Sequence, residues 1–181
     1  PVVLEPLALQ QKLVHERRGG YCFEHNGLMR RVLQQIGFEV HKLGARVLWG
    51  LAEPMETPRT HCLLQVMVDG DPWVMDVGFG GLSLTAALRL QADVVQSTPH
   101  EPFRLLHLPE DLLGDWHLQA QIGGVWRTLY RFDLQHQCAP AGGPDLLRHA
   151  FRRGGVARVV DGHVPAGGGR LPRGGGAYAP A

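Results

Sequence analysis

The hydrophobic pattern along the chain changes period once, near residue 37. Before that point the spacing is helical. Residues 4–15 predict one short helix, running into Arg17-Arg18-Gly19-Gly20, where paired glycines permit a tight turn. From Cys22 a second helix is predicted: Leu28, Val32 and Ile36 recur every fourth residue, flanked by Met29 and Leu33, with Gly37 placed as the stop. Cys22 then lies at or near a helix N-terminus, where the dipole and unpaired N–H groups favour a thiolate.

Beyond Gly37 the period is two. Residues 38–49 predict one or two strands, and Pro54 and Pro58 bracket a loop. Residues 62–68 and 73–77 flank Asp69-Gly70, and Asp-Gly between two apolar runs is the strongest short-range signature of a type I′ hairpin. Residues 103–108, 117–122 and 125–134 continue the alternation. The expected fold class is α+β: a helical start carrying Cys22 (residues 1–37), then an antiparallel β-barrel or sheet (residues 38–137).

The hairpin fixes a register. With Asp69 and Gly70 as the turn, Asp76 falls opposite Leu63, and His61 shares its face as a diagonal neighbour within side-chain reach. Cys62 points to the other face. A turn at Gly70-Asp71 keeps the parity but sets Asp76 opposite Gln65, too far from His61; Asp-Gly is the better turn.

Composition changes the picture at one end. Residues 138–181 hold 11 of the 24 Gly, 5 of the 13 Pro and 6 Arg against Asp145 and Asp161, with Phe151 and Tyr178 as the only aromatics. Such a segment buries too little apolar surface to offset chain entropy, so a largely disordered tail is expected, with a short helix over 146–160 as its one candidate element. The whole chain of 181 residues carries a formal charge of only +1, and no apolar run nears the ~20 residues that cross a bilayer. Membrane insertion and nucleic-acid binding both lose their footprint. Three cysteines, Cys22, Cys62 and Cys138, make no disulfide framework, so a reducing cytoplasm is the expected compartment. No secretory signal stands at Pro1, and the natural start is expected to lie elsewhere.

A Cys at a helix N-terminus with a His and an Asp on one face of an adjoining hairpin is what a thiol nucleophile needs. The His takes the thiol proton, and the carboxylate sets its tautomer and stabilises the charged ring. Cys22, His61 and Asp76 are the candidates. Spacing alone leaves open the plainer reading, a small buried hydrophobe beside an unrelated His. It also leaves open a Cys2His2 zinc site from Cys22, His25, His61 and Cys62, although adjacent His61 and Cys62 point apart and neither half has a standard ligand spacing. No metal is therefore expected.

Arg18-Gly19-Gly20-Tyr21-Cys22-Phe23-Glu24-His25-Asn26-Gly27, Arg59-Thr60-His61 and Asp76-Val77-Gly78-Phe79-Gly80-Gly81 closely resemble the three signature stretches of arylamine N-acetyltransferases. The spacings of 39 residues from Cys22 to His61 and 15 from His61 to Asp76 match as well, as do Ile36-Gly37-Phe38-Glu39 and Ala45-Arg46-Val47. The likeness runs from about residue 4 to residue 137. It implies transfer of acetyl from acetyl-CoA to an arylamine or arylhydrazine by a ping-pong route, with Cys22 as the acetyl-thioester, His61 as base then acid, and Asp76 orienting it. By position it puts Phe79, Gly80 and Gly81 beside the acyl and coenzyme cleft, and Val47 with Phe79 at the amine pocket. Arg18 is expected to brace its turn, and Glu24 with Asn26 to tie the helix start to neighbouring loops. Trp73, Trp116 and Trp126 are expected in the core.

The resemblance also implies helices before residue 1 and a lid domain after residue 137, where the Gly/Arg/Pro-rich tail resembles nothing in the family. A change of reading frame near Cys138 accounts for such a tail; an intact frame carrying the same tail at the sequenced locus would remove that hypothesis. Two other functions are compatible with the same residues: an amide synthase of natural-product assembly donating a longer acyl group, and an inactive truncated pseudoenzyme. The oligomeric state is not legible.

Overall fold

The computed structural model describes residues 3–51 and 56–137. The expected tail and its candidate helix over 146–160 lie outside the described residues, as does Cys138. Helix α1 (Pro6–Gln10) starts on a proline at its first turn and widens into a π-helical turn over Gln11–His15. After the Arg17–Gly20 reversal, α2 (Cys22–Gln35) begins at Cys22 itself. No helix among the described residues is long and apolar enough to cross a membrane.

Eight antiparallel strands follow: β1 (Glu39–Val47), β2 (Arg59–Val68), β3 (Asp71–Met75), β4 (Leu88–Arg89), β5 (Val95–Gln96), β6 (Phe103–His107), β7 (Trp116–Ile122) and β8 (Val125–His136). Their order in the sheet is β4-β3-β2-β1-β8-β7-β6-β5, two meanders joined where β1 pairs with β8. The two outer strands are brought together by one side chain. The Gln96 amide accepts from the Arg89 N–H at 2.8 Å and donates to the Arg89 carbonyl at 2.9 Å, standing in for a peptide unit and leaving the barrel nearly closed. Sheet edges that would otherwise be free for pairing are blunted in this way.

The barrel interior is filled by Leu43, Ala45, Leu63, Val74, Leu105, Leu118, Tyr130 and Phe132, all essentially inaccessible. A second, smaller core lies outside the barrel, where Val40, Leu64 and Val66 meet Met29 and Leu33 of α2 together with Phe38 and Met75. Truncating a buried leucine such as Leu64 to Ala in a core of this kind costs about 2–5 kcal/mol.

The hairpin has the expected register: Leu64 pairs with Met75, Val66 with Trp73 and Val68 with Asp71. Asp69 (φ 52°) and Gly70 (φ 87°) both adopt the left-handed region that a type I′ turn demands. The apolar stripe Leu28/Val32/Ile36 is in part uncovered: Val32 is 46% and Ile36 67% exposed, while the flanking Met29 and Leu33 make the apolar contact. The inward face runs instead through Cys22, Asn26, Met29 and Leu33, so a polar residue, Asn26, occupies a position that hydrophobicity alone assigns to the outside. The expectation of core tryptophans fails for Trp73 and Trp126, which are half-buried on the outer surface, whereas Trp116 packs against the barrel core. Arg89 covers Trp73 at 4.9 Å, Arg104 covers Trp126 at 4.4 Å, and His107 stacks on Trp116 at 4.6 Å. An amphipathic ring under a guanidinium keeps most of its favourable contact without entering a core whose width suits Phe103, Tyr130 and Phe132.

Candidate active site

The first turn of α2 is fastened before any reactive group is considered. The Glu24 carboxylate, only 2% exposed, accepts from the Tyr21 N–H at 3.1 Å and pairs with Lys12 Nζ at 2.7 Å. His25 Nε2 accepts the Gly20 N–H at 3.1 Å. A helix end leaves N–H groups unpaired and carries a partial positive charge, and here Glu24 takes up one such group and His25 the N–H just ahead of it. Arg18 pairs with Glu16 at 3.3 Å on the exposed side of the turn, and its N–H donates to the Lys12 carbonyl at 3.0 Å.

Cys22 is thereby held against the end of β2. Its Sγ lies 3.8 Å from the Thr60 carbonyl. One helical turn on, Asn26 Nδ2 donates to the Cys62 carbonyl at 2.8 Å and to Asp76 Oδ1 at 2.9 Å, and Asn26 Oδ1 accepts the Val77 N–H at 3.1 Å. The approach is close enough to require glycine at residue 78: a Cβ there would sit 2.6 Å from Cys22 Cα and 2.9 Å from Asn26 Nδ2. Helix, strand and loop thus meet backbone to backbone at the cysteine.

His61 and Asp76, both buried, join at 2.6 Å between Nε2 and Oδ2, the diagonal contact that the hairpin register anticipates. Tyr130 donates its hydroxyl to the same Oδ2 at 2.9 Å, and the Gly78 N–H reaches Oδ1 at 2.9 Å. Burial opposes charge on Asp76, yet His61, Asn26 and the Gly78 N–H together hold its carboxyl below the ordinary carboxylate range. An ionised Asp76 accepts, so Nε2 of His61 carries the hydrogen and Nδ1 is the nitrogen left for Cys22. Burial alone would lower His61; the Asp76 charge and hydrogen bond, with the bond to Cys22, raise it to about 9.

Cys22 moves the other way. A hydrogen bond from the Cys62 thiol outweighs burial, and with the hydrogen bond to His61 and the charge of its ring it lowers the Cys22 thiol to about 5. The Cys62 thiol, bonded to Cys22 and buried, is pushed well above its ordinary value. Between those limits the pair rests as thiolate and imidazolium, the reactive state of a thiol nucleophile.

Other sequence-derived candidates fall at different distances from this centre. Phe79 stands edge-on to the His61 ring at 5.1 Å, with the ring planes 79° apart, and touches Tyr130. Gly80 and Gly81 are exposed on the loop that follows, and a Cβ on Gly81 would meet nothing within 4 Å. Val47 lies half-buried at the end of β1, paired across the sheet with Tyr130. Among the described residues no group of three or more His, Cys, Asp or Glu is arranged to hold a metal ion. Tyr130 and the Cys62 thiol were not foreseen as parts of the site. Tyr130 comes from a strand 54 residues along from Asp76, joined to it only by barrel closure. Cys62 does leave the barrel interior as parity requires, but α2 lies on that outer side, and Cys22 at its tip reaches past the end of β3 to touch both neighbours.

Comparison with known proteins gives the chain its family. The family model described as N-acetyltransferase matches residues 1–139. The arylamine N-acetyltransferase of Mycobacterium tuberculosis is 49% identical over 135 residues, covering 73% of this chain and 46% of that protein. The Escherichia coli arylamine N-acetyltransferase is 46% identical over 136 residues, covering 75% of this chain and 47% of that protein. The solved structure of the M. tuberculosis enzyme superposes with a TM-score of 0.69 at 46% identity, over 83% of this chain and 53% of that one. That of Mycobacterium marinum arylamine N-acetyltransferase in complex with CoA gives 0.70 at 40% identity, over 83% and 54%. The chain spans about half the length of the relatives it matches. With a family model matched over residues 1–139 and with the fold in agreement, this chain belongs to the arylamine N-acetyltransferase family.

Proposed function

We propose that the protein carries the acyl-transfer centre of an acetyl-CoA:arylamine N-acetyltransferase, with Cys22 as nucleophile, His61 as general base and acid, and Asp76 as the group that positions His61. The observation that carries this reading is the contact set at one point: Cys22 at the start of α2 within hydrogen-bond reach of His61, and His61 Nε2 at 2.6 Å from a carboxylate with four donors.

The reaction follows from the charges. The Cys22 thiolate attacks the thioester carbonyl of acetyl-CoA, the C–S bond to coenzyme A breaks, and the departing thiolate takes the proton from His61. The aryl amine or hydrazine then attacks the acetyl carbonyl on Cys22 and gives its proton to His61. The carbon–sulfur bond to Cys22 breaks and returns the thiolate–imidazolium pair. Asp76 keeps the ring in the tautomer that leaves Nδ1 facing sulfur, and its negative charge offsets the imidazolium in both halves. Phe79 walls the His61 ring, and the open backbone at Gly80 and Gly81 fits the close approach of a coenzyme. Val47 with Phe79 is assigned to the amine side. Residues 1–37 and 38–137 are read as the helical and barrel parts of one catalytic unit. The reaction is placed in the cytoplasm, where a reducing environment keeps the thiol competent.

The test is to incubate the purified chain with acetyl-CoA and no amine, then locate added acetyl mass by intact-protein and peptide mass spectrometry, with Cys22→Ala as control. Acetyl on Cys22 alone supports the reading. A folded chain that takes up no acetyl, or takes it equally on Cys22 and elsewhere, sinks it.

A further inference from the structure

Cys62 makes and breaks no bond in the acetyl transfer, yet its thiol acts on the nucleophile and helps hold the Cys22 thiol low. Asn26 clamps α2 to the Cys62 carbonyl at 2.8 Å and Cys22 Sγ sits 3.8 Å from the carbonyl of Thr60 two residues away, so the start of α2 lies against the 60–62 stretch of β2, where the two thiols shift one another in opposite directions. Both cysteines are free and buried, Cys62 at 1% and Cys22 at 8% exposure. The arrangement brings a protonated thiol against a thiolate on two elements that the Asn26 and Gly78 contacts hold in place. Such a pair has the makings of an oxidation-sensing couple: a low-pKa attacking sulfur beside a resolving one.

We propose that Cys62 is a resolving thiol, which converts a peroxide-oxidised Cys22 into a reversible Cys22–Cys62 disulfide and so protects the nucleophile from irreversible oxidation. The Cys22 thiolate attacks one oxygen of a hydroperoxide, the O–O bond breaks, and the other oxygen leaves as water or alcohol after taking a proton. Cys22 is now a sulfenic acid. The Cys62 sulfur attacks the Cys22 sulfur, the S–O bond breaks, and the proton from Cys62 leaves with that oxygen as water. Two electrons pass from the two cysteines to one peroxide, and two reducing thiols reverse the change. The disulfide blocks the sulfur that accepts acetyl, so transfer stops until reduction. The inference rests on Cys22 being the acetyl-accepting nucleophile.

The experiment treats the reduced full chain with excess hydrogen peroxide, then measures intact mass, maps linked peptides and assays acetyl uptake from acetyl-CoA before and after dithiothreitol. The wild type is expected to lose the mass of two hydrogen atoms, to yield a Cys22–Cys62 peptide pair, and to regain acetyl uptake on reduction. Cys62→Ser, with Cys62→Ala as a second variant and circular dichroism as the check of fold, is expected to add two or more oxygens at Cys22 and to recover little, each protein measured against its own untreated form. Oxygen added to Cys22 equally fast with and without Cys62, or a linkage from Cys22 to Cys138 or to a second chain, overturns the proposal. A Cys22–Cys62 linkage in a chain whose reduced form takes no acetyl would leave the thiol pair standing and remove the acetyltransferase reading instead.

Discussion

Among the described residues two buried histidines are each held by an aspartate through Nε2, and only one of the two stands beside a thiol. Asp76 meets His61 Nε2 at 2.6 Å and Asp111 meets His117 Nε2 at 2.8 Å. The neighbours differ. Arg131 Nη1 bonds to the same Asp111 oxygen at 2.8 Å, and the Leu113 N–H takes the other at 3.0 Å. Around Asp76 the partners are an amide, a backbone N–H and a phenol, none of them charged, so among the described residues His61 is the cation bonded to it. Depth differs too: the Asp76 side chain is 1% exposed and that of Asp111 16%. A carboxylate with a permanent guanidinium has its charge already offset. One without it, buried, stabilises a proton on its histidine and through it a thiolate on the far ring nitrogen. The Asp–His contact is therefore common to a lock and to a catalyst, and the missing arginine and the added thiol decide which it becomes.

Breaking the Asp76 side has the largest expected effect. Asp76→Asn removes the charge while keeping the shape, and acetyl uptake on Cys22 is expected to fall by about 10³–10⁴-fold, measured as the single-turnover rate with acetyl-CoA. The pH profile gives the sign. The Cys22 thiolate exists above its pKa of about 5 and is lost as pH falls through that value, so iodoacetamide alkylation of the wild type stays rapid down to about pH 5. In Asp76→Asn the imidazolium is weaker and the midpoint of that profile moves upward, toward an ordinary thiol. A midpoint that stays put would refute the coupling.

Next in size is Gly78→Ala. The new Cβ, 2.6 Å from Cys22 Cα, forces α2 away from the loop. We expect about 1–3 kcal/mol of destabilisation in thermal unfolding and about 100-fold slower acetyl uptake from the displaced nucleophile. The control on the other side is Asp111→Asn. It removes the negative charge that His117 and Arg131 share, lowering stability by about 1.5–3 kcal/mol, yet it leaves acetyl uptake within about threefold, under ~1 kcal/mol of barrier. A large loss of acetyl uptake there would erase the distinction between the two aspartates. Tyr130→Phe is the smallest change: one uncharged donor on Asp76 Oδ2 is lost, worth about 0.5–1.5 kcal/mol, or up to about tenfold in the same single-turnover rate.

Much of this was legible from residue order. The Asp69-Gly70 turn and the alternation around it fixed which residues oppose each other, and that arithmetic alone put His61 and Asp76 on one face. Local signals of this kind survive because a two-residue turn and a period of two leave little freedom. Cys22 at the start of its helix was legible for the same reason, since the double glycine marks the reversal between the two helical segments, although the left-handed residue there is Arg17. The inner face of α2 was not. The apolar stripe Leu28, Val32 and Ile36 does not name it, because α2 is oriented by Asn26 reaching Cys62, Val77 and Asp76, and polar bonds of that kind leave no period in a sequence.

The sequence by itself thus determined the elements and the hairpin register, and with them the face that His61 and Asp76 share, because each depends on spacings of a few residues. The tertiary structure alone decided what surrounds them. Tyr130 arrives at Asp76 from a distant strand when the two meanders join through β1 and β8. The Cys62 thiol becomes the neighbour of Cys22 because β3 ends at Met75 and leaves the flank of β2 open to the helix tip. Asp111 gains Arg131, and Asp76 does not, through the packing of strands 20 and 54 residues away. Contacts over such separations are set by barrel closure and by the depth at which a charge is left without a partner, and no local pattern encodes either.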